Sequence, residues 1–100
     1  MGTFHVGCVV SNHIHKNRKT KINTLLVDTG SEHSWISEEA LRKINVAPEK
    51  KDIQFIMANG QTVSRDIGFV IIRVDDSFTI DEVVFARKGD LQLLGARSLE

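Results

Sequence analysis

Between Phe4 and Ile14 apolar and polar residues alternate, which predicts a long strand, and residues 20 to 27 form a second. His15-Lys16-Asn17-Arg18-Lys19 lies between them as a basic hairpin tip. The second strand ends in the apolar run Leu25-Leu26-Val27 and meets Asp28-Thr29-Gly30-Ser31, where Thr29 and Gly30 let the chain turn sharply. The period then changes. Ser37 is placed to cap a short helix with Glu38 and Glu39 in its first turn, Leu41 and Ile44 on one face, and Glu38/Arg42 and Glu39/Lys43 at i,i+4 on the other. That helix is expected to end near Asn45, before the single proline, Pro48. Two further strands, residues 52 to 57 and 62 to 65, flank Asn59-Gly60, whose positive backbone angles suit a tight hairpin turn.

Residues 68 to 74 are apolar up to Arg73, as in a strand covered on both faces, and Asp75-Asp76-Ser77 turns the chain back into residues 78 to 85. There the parity of Phe78 and Ile80 gives way to that of Val83 and Phe85, predicting a bulge near Asp81-Glu82. Arg87-Lys88-Gly89-Asp90 reads as a polar loop, Leu91 to Leu94 as a short strand, and Ala96 to Glu100 as the start of a helix. Neither an internal repeat nor a linker interrupts the 100 residues, so a single domain over 1–100 is expected.

Thirteen basic residues balance thirteen acidic ones, so no global charge draws the chain to nucleic acid or a membrane surface. The basic tip (Lys16, Arg18, Lys19, Lys21) has no aromatic neighbour in sequence for stacking and no net charge behind it; it reads as a solvated turn, with no nucleic-acid partner. No apolar run approaches the roughly 18 to 20 residues of a membrane span, and Met1-Gly2 is followed by Val6 where a myristoylation motif has Ser or Thr. Cys8, the lone cysteine, shares strand parity with Phe4, Val6 and Val10, the pattern of a buried, reduced thiol in a cytosolic protein. His13 and His15 share a strand face, but no third ligand is evident, and they read as surface histidines; no metal or cofactor is expected.

An Asp-Thr-Gly tripeptide is weak evidence alone. Four features in order make it specific: the entry strand with Asp28-Thr29-Gly30-Ser31, the following Trp35-Ile36-Ser37, the hairpin around Ala58-Asn59-Gly60-Gln61, and Leu93-Leu94-Gly95-Ala96 opening a final helix. In that order and spacing the chain resembles the retropepsin-like aspartic proteases, and its small cellular and microbial members more than the viral enzymes, which place Arg directly after the final-helix glycine where this chain has Ala96. The resemblance implies a mostly β, single-lobe closed barrel or sandwich of the acid-protease fold with one or two short helices.

It also implies a homodimer. Such enzymes need two carboxylates about 3 Å apart sharing one proton. No other Asp here is followed by Thr-Gly or Ser-Gly, so the partner acid is expected to be Asp28 of a second copy. By the same resemblance, Thr29 bonds across the two-fold axis and Gly30 admits substrate backbone. Ser31 either bonds the outer oxygen of Asp28 or makes a local turn bond. Residues 57 to 62 form a flap closing over an extended peptide, with Met57, Ala58, Asn59 and Gly60 meeting the substrate, and Leu93 lines a substrate pocket above a core Leu94. Ile36 and Phe55 read equally as pocket walls or core, and Trp35 as core or rim. Family members continue past the final helix into a strand that in viral enzymes helps join the subunits. With the sequence given ending at Glu100, the dimer is expected to rest on the N-terminal strand and the turns, or on a strand that follows. The expected activity is that of an aspartic endopeptidase without metal, cofactor or membrane partner. Its rival is a catalytically idle module of the same fold that binds peptides or dimerises.

Overall fold

A computed structural model describes residues 3–95. Its elements are β1 (Thr3–Asn12), β2 (Lys19–Asp28), β3 (Ser34–Ser37), α1 (Glu38–Lys43), β4 (Lys50–Ile56), β5 (Thr62–Val74), β6 (Ser77–Ala86) and β7 (Leu93–Gly95). The strands hydrogen-bond in the order β1-β2-β7-β3-β6-β5-β4, and β1 also pairs with β5. That second pairing closes six strands into a barrel and leaves β4 outside it, on the far edge of β5. The mostly β, single-lobe barrel implied by the resemblance is therefore the architecture observed, with one short helix among the described residues. The helix expected from Ala96 lies outside the described residues.

Inward side chains fill the barrel: Val10, Val27, Ile36, Leu41, Val70, Ile72, Val83 and Leu94 are each about 1% exposed or less. A second, smaller cluster of Trp35, Ile67, Val84, Ala86 and Leu93 packs on the outside, covered by Ile53, Phe55, Met57 and Val63 of the β4–β5 hairpin. Two layers of apolar contact thus cover one end of β5 and β6 on both faces, which is why residues 83 to 86 are all buried.

The bulge expected near Asp81-Glu82 is absent: β5 and β6 pair without a shift from Ile67↔Val84 to Val74↔Ser77. Phe78 and Ile80 simply point outward, 64% and 61% exposed, beyond the reach of the second cluster. The register shift falls in β2, where Val6↔Leu25 and Cys8↔Ile22 leave Gly7 opposite Asn23 and Thr24. Its effect is to change parity along β2, whose buried positions become Leu25 and Val27. A second shift, in β4 between Lys50 and Ile53, carries Asp52 at φ 56°.

The helix starts as predicted, with the Ser37 hydroxyl accepting from the Ala40 amide. It ends at Lys43, with Ile44 as its cap and the stop at Asn45. Asn45, at φ 60°, donates to the Arg42 carbonyl and Val46 donates to that of Leu41, the paired bonds of a Schellman stop. Asn12 pins this end to the barrel: its Nδ2 donates to Ile44 and Asn45 carbonyls at 3.1 and 3.0 Å, while its Oδ1 accepts from the Ile14 and His15 amides in the hairpin tip.

Candidate active site

Asp28 is the last residue of β2 and shares the parity of Leu26, so its carboxyl lies on the face away from the barrel interior, where Leu26 packs on the second cluster. The two-residue stretch of β2 opposite Gly7 sets this direction. Without it, Asp28 would fall on the parity of the buried side chains. Its Oδ1 accepts from the Gly30 amide at 2.9 Å and its carbonyl from the Ser31 amide at 3.1 Å, so the turn closes on the Asp28 side chain itself. Thr29 and Gly30 are exposed.

The turn leads into β3 by crossing over β7. β7 runs parallel to β2, with Asp28 opposite Gly95, and antiparallel to β3 through Trp35 and Leu93. A Cβ on Gly95 would stand 2.7 Å from the His33 carbonyl oxygen and 2.8 Å from that of Ser31. Only glycine lets the loop pass so close. The Ser34 hydroxyl, fully buried, accepts from the Gly95 amide at 3.0 Å and ties the crossing together. Of the two roles open to Ser31 in the sequence, the local one is found: its hydroxyl donates to the His33 carbonyl at 2.9 Å.

Opposite the turn stands the β4–β5 hairpin. The Gly60 amide donates to the Met57 carbonyl and the Met57 amide to the Gln61 carbonyl, both at 2.8 Å. Gly60 has φ 86°, but Asn59 is not in the left-handed region. The tip is therefore a turn whose central residues, Ala58 and Asn59, have no positive φ, with Gly60 itself as the left-handed bulge residue, rather than the two-positive turn expected from Asn-Gly. Asn59 instead accepts from the Gln61 amide through its side chain.

Between turn and hairpin lies a groove of about 410 Å³ lined by Asp28, Gly30, Ser31, His33, Trp35, Phe55, Ile56, Met57, Ala58, Leu91 and Leu93. Among the described residues Asp28 is its one carboxylate. Of the residues expected to meet substrate, Gly30, Met57, Ala58 and Leu93 line it, whereas Asn59 and Gly60 form the hairpin tip; Thr29, expected to bond across the two-fold axis, is exposed and outside the wall. Both open readings of Trp35 hold, since it is 8% exposed and still lines the groove, with Phe55 edge-on at 5.2 Å. Phe55 is wall. Ile36 is barrel core, fully buried, as is Leu94. Three lining residues carried no site reading in the sequence. Ile56 is 81% exposed at the end of β4, Leu91 is 64% exposed beside β7, and the His33 ring meets Phe55 edge-on at 5.5 Å. Exposed large apolar residues flanking a predicted turn were the available signal for the first two.

His13 does not pair with His15: its Nδ1 lies 3.2 Å from the Phe69 carbonyl, to which it can only donate. Among the described residues no helix is long and apolar enough to cross a membrane. No curated protein matches the sequence. A family model described as gag-polyprotein putative aspartyl protease matches residues 14–100, which include the Asp-Thr-Gly turn, the hairpin and β7, and the chain belongs to that family.

Proposed function

We propose that the protein is an aspartic endopeptidase that works as a homodimer, with Asp28 from each copy forming the catalytic pair. The observation that carries this reading is the single carboxylate at the open end of a rigid strand, facing a mostly apolar groove beneath a hairpin. Hydrolysis by acid–base exchange needs a second acid. Among the described residues the groove holds none, and a two-fold axis beside the exposed Thr29-Gly30 turn supplies it from a second copy.

In that dimer the two carboxylates share one proton, because both cannot be ionised about 3 Å apart. The ionised Asp28 takes a proton from a water held between the pair as its oxygen attacks the peptide carbonyl carbon; the protonated one donates to the carbonyl oxygen. Collapse of the tetrahedral diol returns a proton to the leaving nitrogen and breaks the C–N bond. Met57 and Ala58 close over the peptide as a flap, and Trp35, Phe55, Ile56, Leu91 and Leu93 favour apolar side chains. The cytoplasmic placement rests on Cys8, a free buried thiol.

The test is cleavage of an unfolded protein substrate between pH 4 and 7 at rising protein concentration, with sedimentation in parallel. The reading expects activity that grows with the dimer fraction and falls by roughly 10²-fold or more in Asp28→Asn. Stable dimers or tight peptide binding without any cleavage would establish the idle module instead.

A further inference from the structure

The outer face of the barrel carries a second surface, at the ends of β2, β5 and β6 away from the Asp28 turn and the hairpin. β2, β1, β5 and β6 lie side by side there, and their registers align outward-facing residues in two rows. One row runs Lys21, Val9, Arg73, Phe78, and the next Lys19, Ser11, Ile71, Ile80. Lys16, Lys19 and Arg73 rim a depression of about 210 Å³ whose floor is Val9, Ser11 and Ile71. Among the described residues none of Lys16, Lys19, Lys21 and Arg73 is in an ion pair, and the Arg73 guanidinium sits 5.7 Å from the centre of the Phe78 ring. Asp75 and Asp76 lie in the turn at one end, and Glu82, the acid of β6 that points outward, is held by Lys50 at 2.8 Å.

Charge is also segregated along the chain. The first 27 residues hold four of the thirteen basic side chains and none of the thirteen carboxylates, so the zero net charge hides a positive β1–β2 hairpin. A basic tip without an aromatic was the reason to expect no nucleic-acid partner; folding brings Phe78, 64% exposed, into line with it from about sixty residues away. Cations about two strand positions apart beside an exposed ring and an apolar strip form a platform for a polyanion with flat apolar faces.

From this we infer that the β2-β1-β5-β6 face binds single-stranded nucleic acid, with Lys16, Lys19, Lys21 and Arg73 on phosphates and a base on Phe78. Sequence selectivity is not expected, since the face offers few hydrogen-bonding groups at fixed positions.

The test is fluorescence anisotropy of labelled 12-residue oligouridylate titrated with the full chain at 25 to 200 mM salt, with polyglutamate as competitor. Three to four phosphate contacts give a slope of log K against log salt of about −2 to −3, and Lys19→Ala and Lys21→Ala each lower its magnitude by about 0.7. Phe78→Ala, at an exposed site, weakens oligouridylate binding roughly tenfold or more without changing that slope. The inference is overturned by absence of binding at 25 mM salt, by binding insensitive to Phe78→Ala, or by polyglutamate binding as tightly, which would make the face a dock for acidic protein segments.

Discussion

Arg65 of β5 and Asp90 of the loop before β7 form a two-point ion pair: Nε to Oδ2 is 2.7 Å and Nη2 to Oδ1 is 2.9 Å. Both side chains are largely buried, and Asp90 Oδ2 also accepts from the Arg87 amide at 2.9 Å. The pair fastens the strand that leads out of the hairpin to the loop that carries Leu91 into the groove. It therefore links fold stability to groove shape.

The hydrogen bonds from Arg65 hold the Asp90 carboxyl below the usual carboxylate range, outweighing the opposing effect of burial. With the folded value lowered, the stabilisation is fully present above the unfolded value of about 3.9 and is lost as pH falls through the folded one. Asp90→Asn is expected to cost about 2 kcal/mol at pH 7. The difference between urea melts of the two proteins should shrink as pH falls below the unfolded value of about 3.9; a difference that stays constant down through the acid range would assign the loss to packing.

The strands around the Asp-Thr-Gly turn were readable because Leu25 to Val27 and the four residues after them carry local information, and the helix because Ser37, Glu38 and Glu39 mark its start. What stayed hidden was non-local. Trp35 gave no strand signal, since β3 is four residues long and exists only because β6 and β7 flank it. The parity change in β2 shows in no β2 residue alone; it needs Gly7 on the neighbouring strand. Phe78 and Ile80 suggested a bulge because alternation was read as one buried face, whereas the second cluster covers only the other end of β6. His33 and Leu91 are far apart in sequence and meet only through the groove.

Gly95→Ala is expected to damage the turn from beneath. The added methyl would press on the backbone of Ser31 and His33, and neither carbonyl can swing away as a side chain can. Overpacking of this kind costs about 1–3 kcal/mol, and the segment that must yield holds Asp28. Thermal melting should show the loss of stability. Peptide cleavage should fall further than the unfolded fraction explains, and activity scaling only with that fraction would contradict displacement of the turn.

Burial pushes the Cys8 thiol up to about 11 from 9. Because the thiolate is the reactive form, alkylation by iodoacetamide at pH 8 should be slow in the native protein and rise steeply in urea. The sign for stability follows from the raised folded value: stability is unaffected below the unfolded value and declines as pH rises from about 9 to 11. Cys8→Ala should remove that alkaline decline while lowering stability at pH 7, since a buried side chain is shortened. Rapid native alkylation at pH 8 would mean that the β1–β2 hairpin opens locally.

Gly60 separates the cost of backbone strain from that of crowding. A Cβ there meets nothing within 4 Å, yet φ is 86°, so Gly60→Ala costs about 1 kcal/mol through backbone conformation alone. The cost falls on the two bonds that close the hairpin tip, from Gly60 to Met57 and from Met57 to Gln61. Amide exchange at Met57 and residue 60 should therefore quicken by roughly five- to tenfold, and the global melt should move down by about 4–8 °C. If the hairpin closes over bound peptide, KM should rise by a similar factor. Gly60→Asn, which tolerates the left-handed region better than Ala, should recover part of both effects. Equal losses in the two variants would show that the tip responds to side-chain bulk and not to φ.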